Sequence, residues 1–301
     1  MTTDVLVIGS LNHDIVAGVK VAPGPGETVL AHSLTRTNGG KGGNQAVAAA
    51  RVGARVRLVS SVGMDAEGDW QVGNLAVWGV DVGGIARQED LRTSLALIWV
   101  TPDGENSIIV TPGAKDRVTP GLVLAETGPA AVVLAQSEVG AAVCDAAAEL
   151  AQRLAARFVL SCGPVVVPSA ATLRRCDPVV VNASEARDLL SQVSSDADVP
   201  EPELAQALRY AVGARSVIVT LGARGSLLAA VDLDEVLPAA PAAQVVDTTG
   251  AGDTYCGVLA ACLARGVSLV EAGATAARAA AEAVGWIGAR PSRQPDEGDA
   301  R

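Results

Sequence analysis

Short, almost continuously apolar runs alternate with longer Ala-rich stretches along most of the chain. The runs fall at residues 5–8, 56–60, 131–134, 158–160, 179–181 and 217–220, and almost none of them carries polar alternation. Such runs predict strands buried on both faces. Between and after them, residues 44–52, 68–78, 140–156, 202–212, 253–265 and 270–284 have the length and composition of helices. Strand–helix alternation of this kind predicts an α/β protein, a three-layer α/β/α sandwich with a mainly parallel central sheet.

Two regions break the rhythm. Residues 28–37 follow the turn Pro23-Gly-Pro-Gly26 with mixed polar and apolar positions. Residues 94–111 read as a hairpin whose arms flank Pro102-Asp-Gly-Glu-Asn106. Antiparallel elements inside an α/β chain predict a small separate sheet, a flap over the C-terminal edge of the main one. The expected organisation is one domain over 1–301 with flap segments inserted at about 11–38 and 92–112. The tail from Pro291 to Arg301 is polar and reads as a loose end.

Composition narrows the function. Of 301 residues, 49% are apolar and 19% charged, which excludes a disordered chain. Only 2% are aromatic, so the core is built from Ala, Val and Leu, and base-stacking surfaces are not expected. A net charge of −10 argues against nucleic-acid binding, although a few local donors can still hold a phosphate. The five cysteines show neither metal-ligand spacing nor a Cys-x-x-Cys pair. No apolar stretch is long enough to span a membrane and no basic leader precedes the first strand. The expectation is a soluble cytoplasmic protein that binds neither nucleic acid nor membrane.

Five glycine- or amide-bearing segments carry candidate chemistry. Asp247-Thr-Thr-Gly-Ala-Gly-Asp253 precedes a helical stretch, so its glycines can turn the backbone and leave N–H groups free at a helix N-terminus. That end favours negative charge, and Asp253 stands beside it. Transfer of a phosphoryl group to an alcohol needs both parts, donors for the spreading charge and a carboxylate for the hydroxyl proton. An ordinary loop–helix junction is the plainer alternative. Asn38-Gly-Gly-Lys-Gly-Gly-Asn44 allows close approach to a polar ligand but lacks P-loop spacing. In Gly9-Ser-Leu-Asn-His-Asp14, Asn12 and Asp14 alternate and face one side at a strand end, with His13 a neighbour rather than an acid or base. Asn182-Ala-Ser-Glu185 suits either a ligand site or a helix capping box. Thr220-Leu-Gly-Ala-Arg-Gly225 suits a nucleotide-binding turn or a hairpin. Glu138 lies past another strand end, where a solvated loop residue is the plainer reading. A dinucleotide-dependent dehydrogenase is excluded, because no Gly-x-Gly-x-x-Gly follows the first strand.

Together and in this order, the segments resemble the ribokinase-like carbohydrate kinases, the phosphofructokinase B family. The resemblance also rests on Pro25-Gly-Glu-Thr28, Gly104-Glu-Asn106 and Gly288-Ala-Arg-Pro-Ser292. It implies an ATP-dependent kinase that phosphorylates the 5-hydroxyl of D-ribose; other acceptors of the same family are fructose, deoxyribose, ribulose or adenosine. It implies Asp253 as the base and the amides of Gly250, Ala251 and Gly252 as the anion hole. Asn12, Asp14, Gly40, Lys41, Gly42, Asn44 and Glu138, together with Asp253, would hold the sugar. Asn182, Thr220, Gly222, Arg224, Gly225 and Gly252 would hold ATP, and Glu185 would order the waters of a Mg2+ ion. Asp247, Thr249, Ala283, Trp286, Gly288 and Ser292 would surround a K+ ion. The flap would act as a lid and as the clasp of a homodimer. Departures from the family pattern fall at His13, Gly43, Lys115, Trp286 and the Ser161-Cys-Gly-Pro164 stretch.

Overall fold

The computed structural model describes residues 3–102, 106–195 and 197–291. In chain order the strands are β1 (Thr3–Ile8), β2 (Asn12–Val19), β3 (Ala31–Gly39), β4 (Val56–Gly63), β5 (Asp81–Gln88), β6 (Leu95–Val100), β7 (Asn106–Val110), β8 (Ala130–Gln136), β9 (Arg157–Ser161), β10 (Cys176–Asn182), β11 (Ser216–Thr220), β12 (Ser226–Ala230) and β13 (Leu233–Leu237). The α-helices are α1 (Lys41–Arg51), α2 (Ala66–Val77), α3 (Pro120–Leu124), α4 (Ala141–Arg153), α5 (Ala170–Leu173), α6 (Ala183–Val193), α7 (Leu204–Val212), α8 (Ala251–Ala264) and α9 (Leu269–Ala283).

Nine strands form one sheet in the order β13-β12-β11-β10-β9-β8-β1-β4-β5. Neighbours from β11 to β5 are parallel, and the hairpins β11–β12 and β12–β13 add an antiparallel edge. All six apolar runs lie in the parallel part. Successive residues of one strand feed opposite layers. Leu6 and Ile8 of β1 pack with Val133, Leu150 of α4, Leu189 of α6 and Leu208 of α7. Val5 and Val7 pack on the other face with Leu134, Ala49 of α1, Leu259 of α8 and Ala276 of α9. Double-sided burial is the physical reason these strands show no polar alternation.

The segments that break the rhythm make a second sheet, β3-β2-β6-β7. In it β2 pairs antiparallel with β3 and parallel with β6, and β6 pairs antiparallel with β7. Residues 103–105 of the hairpin turn, and the tail beyond Pro291, lie outside the described residues. Leu34, Ile108 and Ile109 of this sheet are exposed. Among the described residues, no helix is long and apolar enough to cross a membrane.

Candidate active site

The first wall of the site is built where β1 ends. The chain passes through Gly9, Ser10 and Leu11 directly into β2, and the first turn of α1 lies across it. A β-carbon on Gly42 would stand 2.6 Å from the carbonyl carbon of Gly9, so glycine is what lets helix and strand end meet. On the short 3-10 turn after β8, Glu138 accepts hydrogen bonds from Ser10 Oγ at 2.9 Å and Asn12 Nδ2 at 3.3 Å. Asn12 Oδ1 is buried with no protein partner. A buried acceptor left open in this way points to a ligand donor.

The second wall is the N-terminus of α8. Gly250 caps it at φ 77°, with no side chain in the capping position, and a β-carbon there would lie 2.5 Å from the Ala289 carbonyl oxygen. Asp253, in the first turn, is buried. Its Oδ2 accepts from Asn44 Nδ2 at 2.8 Å and its Oδ1 from Gln45 Nε2 at 2.9 Å. Gln136 Nε2 in turn donates to Gln45 Oε1 at 2.8 Å, which fixes the Gln45 amide. The structure thus brings the two glycine motifs together through two carboxamides on α1.

A cavity of about 220 Å³ opens on this junction, lined by Lys41, Asn182, Glu185, Thr220, Gly250, Gly252 and Asp253 among others. Ala251 is not among its lining residues, and its amide donates to the Thr248 carbonyl at 3.3 Å. The negative charge of Asp253 raises the pKa of Lys41 against the opposing effect of burial, so a cation is held where an anionic ligand would lie. Asn182 does cap α6: its side chain accepts from Glu185 N at 2.9 Å while Glu185 Oε2 accepts from Asn182 N at 2.8 Å. The capping box and the cavity position coexist.

The 220–225 segment resolves as a hairpin. Only Thr220 of it reaches the cavity. Arg224 is paired with Glu201 on the surface, Gly225 packs on the Leu237 carbonyl, and Gly222 sits in the turn. His13 faces away from Asn12 and Asp14, its ring 4.7 Å from that of Trp70.

The residues expected around a monovalent cation gather at the end of α9, Ser292 excepted, which lies outside the described residues. Val246 N and Asp247 N donate to the Val284 carbonyl just past Ala283. Asp247 Oδ1 accepts from Thr249 N at 2.8 Å and Oδ2 from Gly288 N at 2.9 Å. Burial works to raise the Asp247 pKa, but these bonds hold it below the usual carboxylate value. The Trp286 ring packs under Arg51, whose Cζ is 4.7 Å from the ring centroid.

Sequence reading passed over several residues of the site. Ser10, Gln45, Gln136 and Arg290 are all buried and polar here. Gln45 had one signal: it is a long amide on an Ala-rich helix stretch, with no charge beside it to mark it as solvent-facing. Arg290 lies inside the Gly288–Ser292 motif, where the expected roles fall on Gly288 and Ser292 and not on the guanidinium.

A sequence profile described as pfkB family carbohydrate kinase matches residues 2–296. The chain is 31% identical over 299 residues to a ribokinase of Schizosaccharomyces pombe, covering 96% of this chain and 94% of that protein. It is 33% identical over 290 residues to a ribokinase of Bacillus subtilis, covering 95% and 94%. The structure of Arabidopsis thaliana ribokinase complexed with ribose and ATP matches with a TM-score of 0.85 at 29% identity, over 96% of this chain and 95% of that one.

Proposed function

The chain belongs to the pfkB family of carbohydrate kinases, and from that premise we propose that it transfers the terminal phosphoryl group of ATP to the primary 5-hydroxyl of D-ribose, giving ribose 5-phosphate and ADP. One observation carries the reading. Asp253 is gripped by Asn44 and Gln45 of the sugar-side helix, yet lines the same cavity as Lys41, Thr220 and Gly252. A single carboxylate so placed can serve an alcohol on one side and a nucleotide on the other.

In the proposed reaction the sugar sits against Asn12, Asp14, Glu138, Asn44 and the Gly40–Lys41–Gly42 turn. The open Asn12 Oδ1 accepts a hydrogen bond from a sugar hydroxyl, and the carboxylates of Asp14 and Glu138 each accept from vicinal hydroxyls. Asp253 receives the 5-hydroxyl proton as the new O–P bond forms and the bond to the ADP oxygen breaks. Charge spreading over the phosphoryl oxygens meets the amides at the start of α8 and the ammonium of Lys41. Positioning supplies most of the rate.

Two ions fit the residues present. Glu185 has one oxygen pinned by its capping bond and lines the cavity; a lone carboxylate suits Mg2+, which keeps water and phosphate oxygens as its other ligands. K+ is expected beside Asp247, whose carboxylate joins Thr249 to Gly288, with Ala283 and Trp286 next to them at the end of α9. Bound Mg2+ would neutralise phosphate charge, and bound K+ would order the loop that leads into the anion hole. The exposed apolar side chains of the small sheet, Leu34, Ile108 and Ile109, are the surface through which we expect a homodimer. The five buried thiols suit work in a reducing cytoplasm.

The test is ADP release from ATP with ribose, deoxyribose, fructose, ribulose and adenosine, with and without potassium. A kcat/KM for ribose at least tenfold above the others is expected. Preference for another acceptor would overturn the substrate assignment, and no turnover with any would overturn the kinase reading.

A further inference from the structure

Arg290 is buried, 6% exposed, and among the described residues the hydrogen-bond partners of its guanidinium are neutral oxygens. Nε donates to Asn44 Oδ1 at 2.8 Å. Nη2 donates to the Gly39 carbonyl at 2.8 Å and to Gln71 Oε1 at 3.0 Å, and Nη1 reaches Asn74 Oδ1 at 3.4 Å. Burying a cation without a direct counter-ion is costly. Its charge is answered through space by Asp14 and Asp253.

The partners are the supports of the sugar pocket. The Asn44 carboxamide is gripped at both ends, its oxygen by Arg290 and its Nδ2 by Asp253. Flipping that amide would set its oxygen against a carboxylate and its NH2 against a guanidinium. Gln71 is gripped in the same sense: its oxygen faces Arg290 and its Nε2 donates to the Asn12 carbonyl at 2.6 Å. One side chain therefore fixes the rotamers of two amides, one aligning the proposed base and the other the backbone of a sugar-binding residue.

Gly43 gives an independent sign that the site is built around this side chain. It lies in the regular part of α1 without a positive φ, so the backbone does not demand glycine. A β-carbon there would lie 2.9 Å from Arg290 Nη2 and 2.7 Å from Leu11 Cδ2. The missing side chain is room for the guanidinium and for the Leu11 side chain packed beside it.

We propose that Arg290 is a positioning residue for phosphoryl acceptance, locking Asn44 and Gln71 so that Asp253 and Asn12 face the sugar in fixed orientation. This rests on the sugar-kinase reading above. Lysine cannot replace it, because a compact ammonium lacks the planar fork that spans Asn44, Gly39 and Gln71 together.

The test compares wild type with Arg290→Met, Arg290→Lys and Gly43→Ala. In steady-state kinetics, all three raise the sugar KM at least tenfold and lower kcat, while the KM for ATP stays within twofold. Gly43→Ala raises the sugar KM by a smaller factor on an Arg290→Met background than on wild type, because the guanidinium contact is then already gone and only the Leu11 contact remains. A merely structural staple would instead weaken both substrates together or only lower the melting temperature. A readout free of turnover is solvent exchange of the Asn44 side-chain amide in the unliganded protein, expected at least tenfold faster in Arg290→Met and Gly43→Ala. A sugar KM within twofold of wild type, equal loss for both substrates, or unchanged Asn44 exchange would overturn the proposal. A wild type without kinase activity leaves the exchange measurement standing and condemns the functional reading instead.

Discussion

Asn44 and Asp253 stand 209 residues apart and meet in a buried 2.8 Å hydrogen bond. The donor opens a helix after one glycine-rich turn, and the acceptor opens another helix after a second such turn. With Gln45 on the other carboxylate oxygen, Asp253 has one donor per oxygen and keeps lone pairs free for a substrate hydroxyl. Such a carboxylate is held in place without being saturated, which is the condition for a positioned proton acceptor.

Asp14 should make the activity pH-dependent. Burial raises its pKa from 3.8 to about 7; the Arg290 charge opposes the rise, and Glu138 and Asp253 add to it. The protonated form accepts fewer sugar hydroxyls, so kcat/KM for the sugar should fall as pH drops through about 7. Stability runs the other way. The contribution is fully present below the unfolded value near 4 and is lost as pH rises to about 7, because the unfolded chain ionises first. Asp14→Asn should flatten this slope in urea unfolding between pH 4 and 7. An identical slope in the variant would refute the assignment.

Gly42→Ala tests the close approach of α1 to the end of β1. The added carbon would face backbone atoms of Gly9 and Ser10 rather than a side chain that can move aside. A loss of about 1–3 kcal/mol is expected, read as a lowered thermal midpoint with a raised sugar KM. An unchanged midpoint would show that the helix can slide freely.

Potassium should activate the enzyme more than sodium at equal ionic strength. Asp247→Ala removes the carboxylate that ties Thr249 to Gly288 and should leave the enzyme indifferent to the choice of ion. Persistent potassium activation in that variant would move the cation elsewhere.

The thiols should be chemically quiet. Burial pushes Cys144 and Cys256 up to about 12 and Cys162 to about 11. Since the thiolate is the reactive form, Ellman's reagent at neutral pH should label the native protein slowly and reach all five cysteines only on unfolding. Rapid loss of activity on labelling would contradict this.

The inner parallel strands of the main sheet were legible because burial on both faces writes an unbroken apolar run, as at 5–8 and 179–181. Other strands carried no such mark. β5 contains Gly83-Gly84 and lies at the sheet edge, and β13 is largely exposed, so neither needed apolar continuity. The glycine motifs could be read because close backbone approach and helix N-termini restrict residue type. Arg224, expected at the nucleotide, is paired with Glu201 on the surface. Arg290 and Gln45 stayed hidden because their partners come from distant segments, and no local spacing encodes a contact across 246 residues such as that of Arg290 with Asn44.

Asp253→Asn in steady-state ADP release with ribose bears most directly on the proposed chemistry, with circular dichroism and ATP binding measured on the same preparation. The carboxamide keeps the size of the side chain and cannot take the hydroxyl proton, so kcat should fall by roughly 10²–10⁴-fold while fold and ATP binding persist. Turnover close to that of the wild type would mean that the proton leaves the sugar by another route and that Asp253 is not the base.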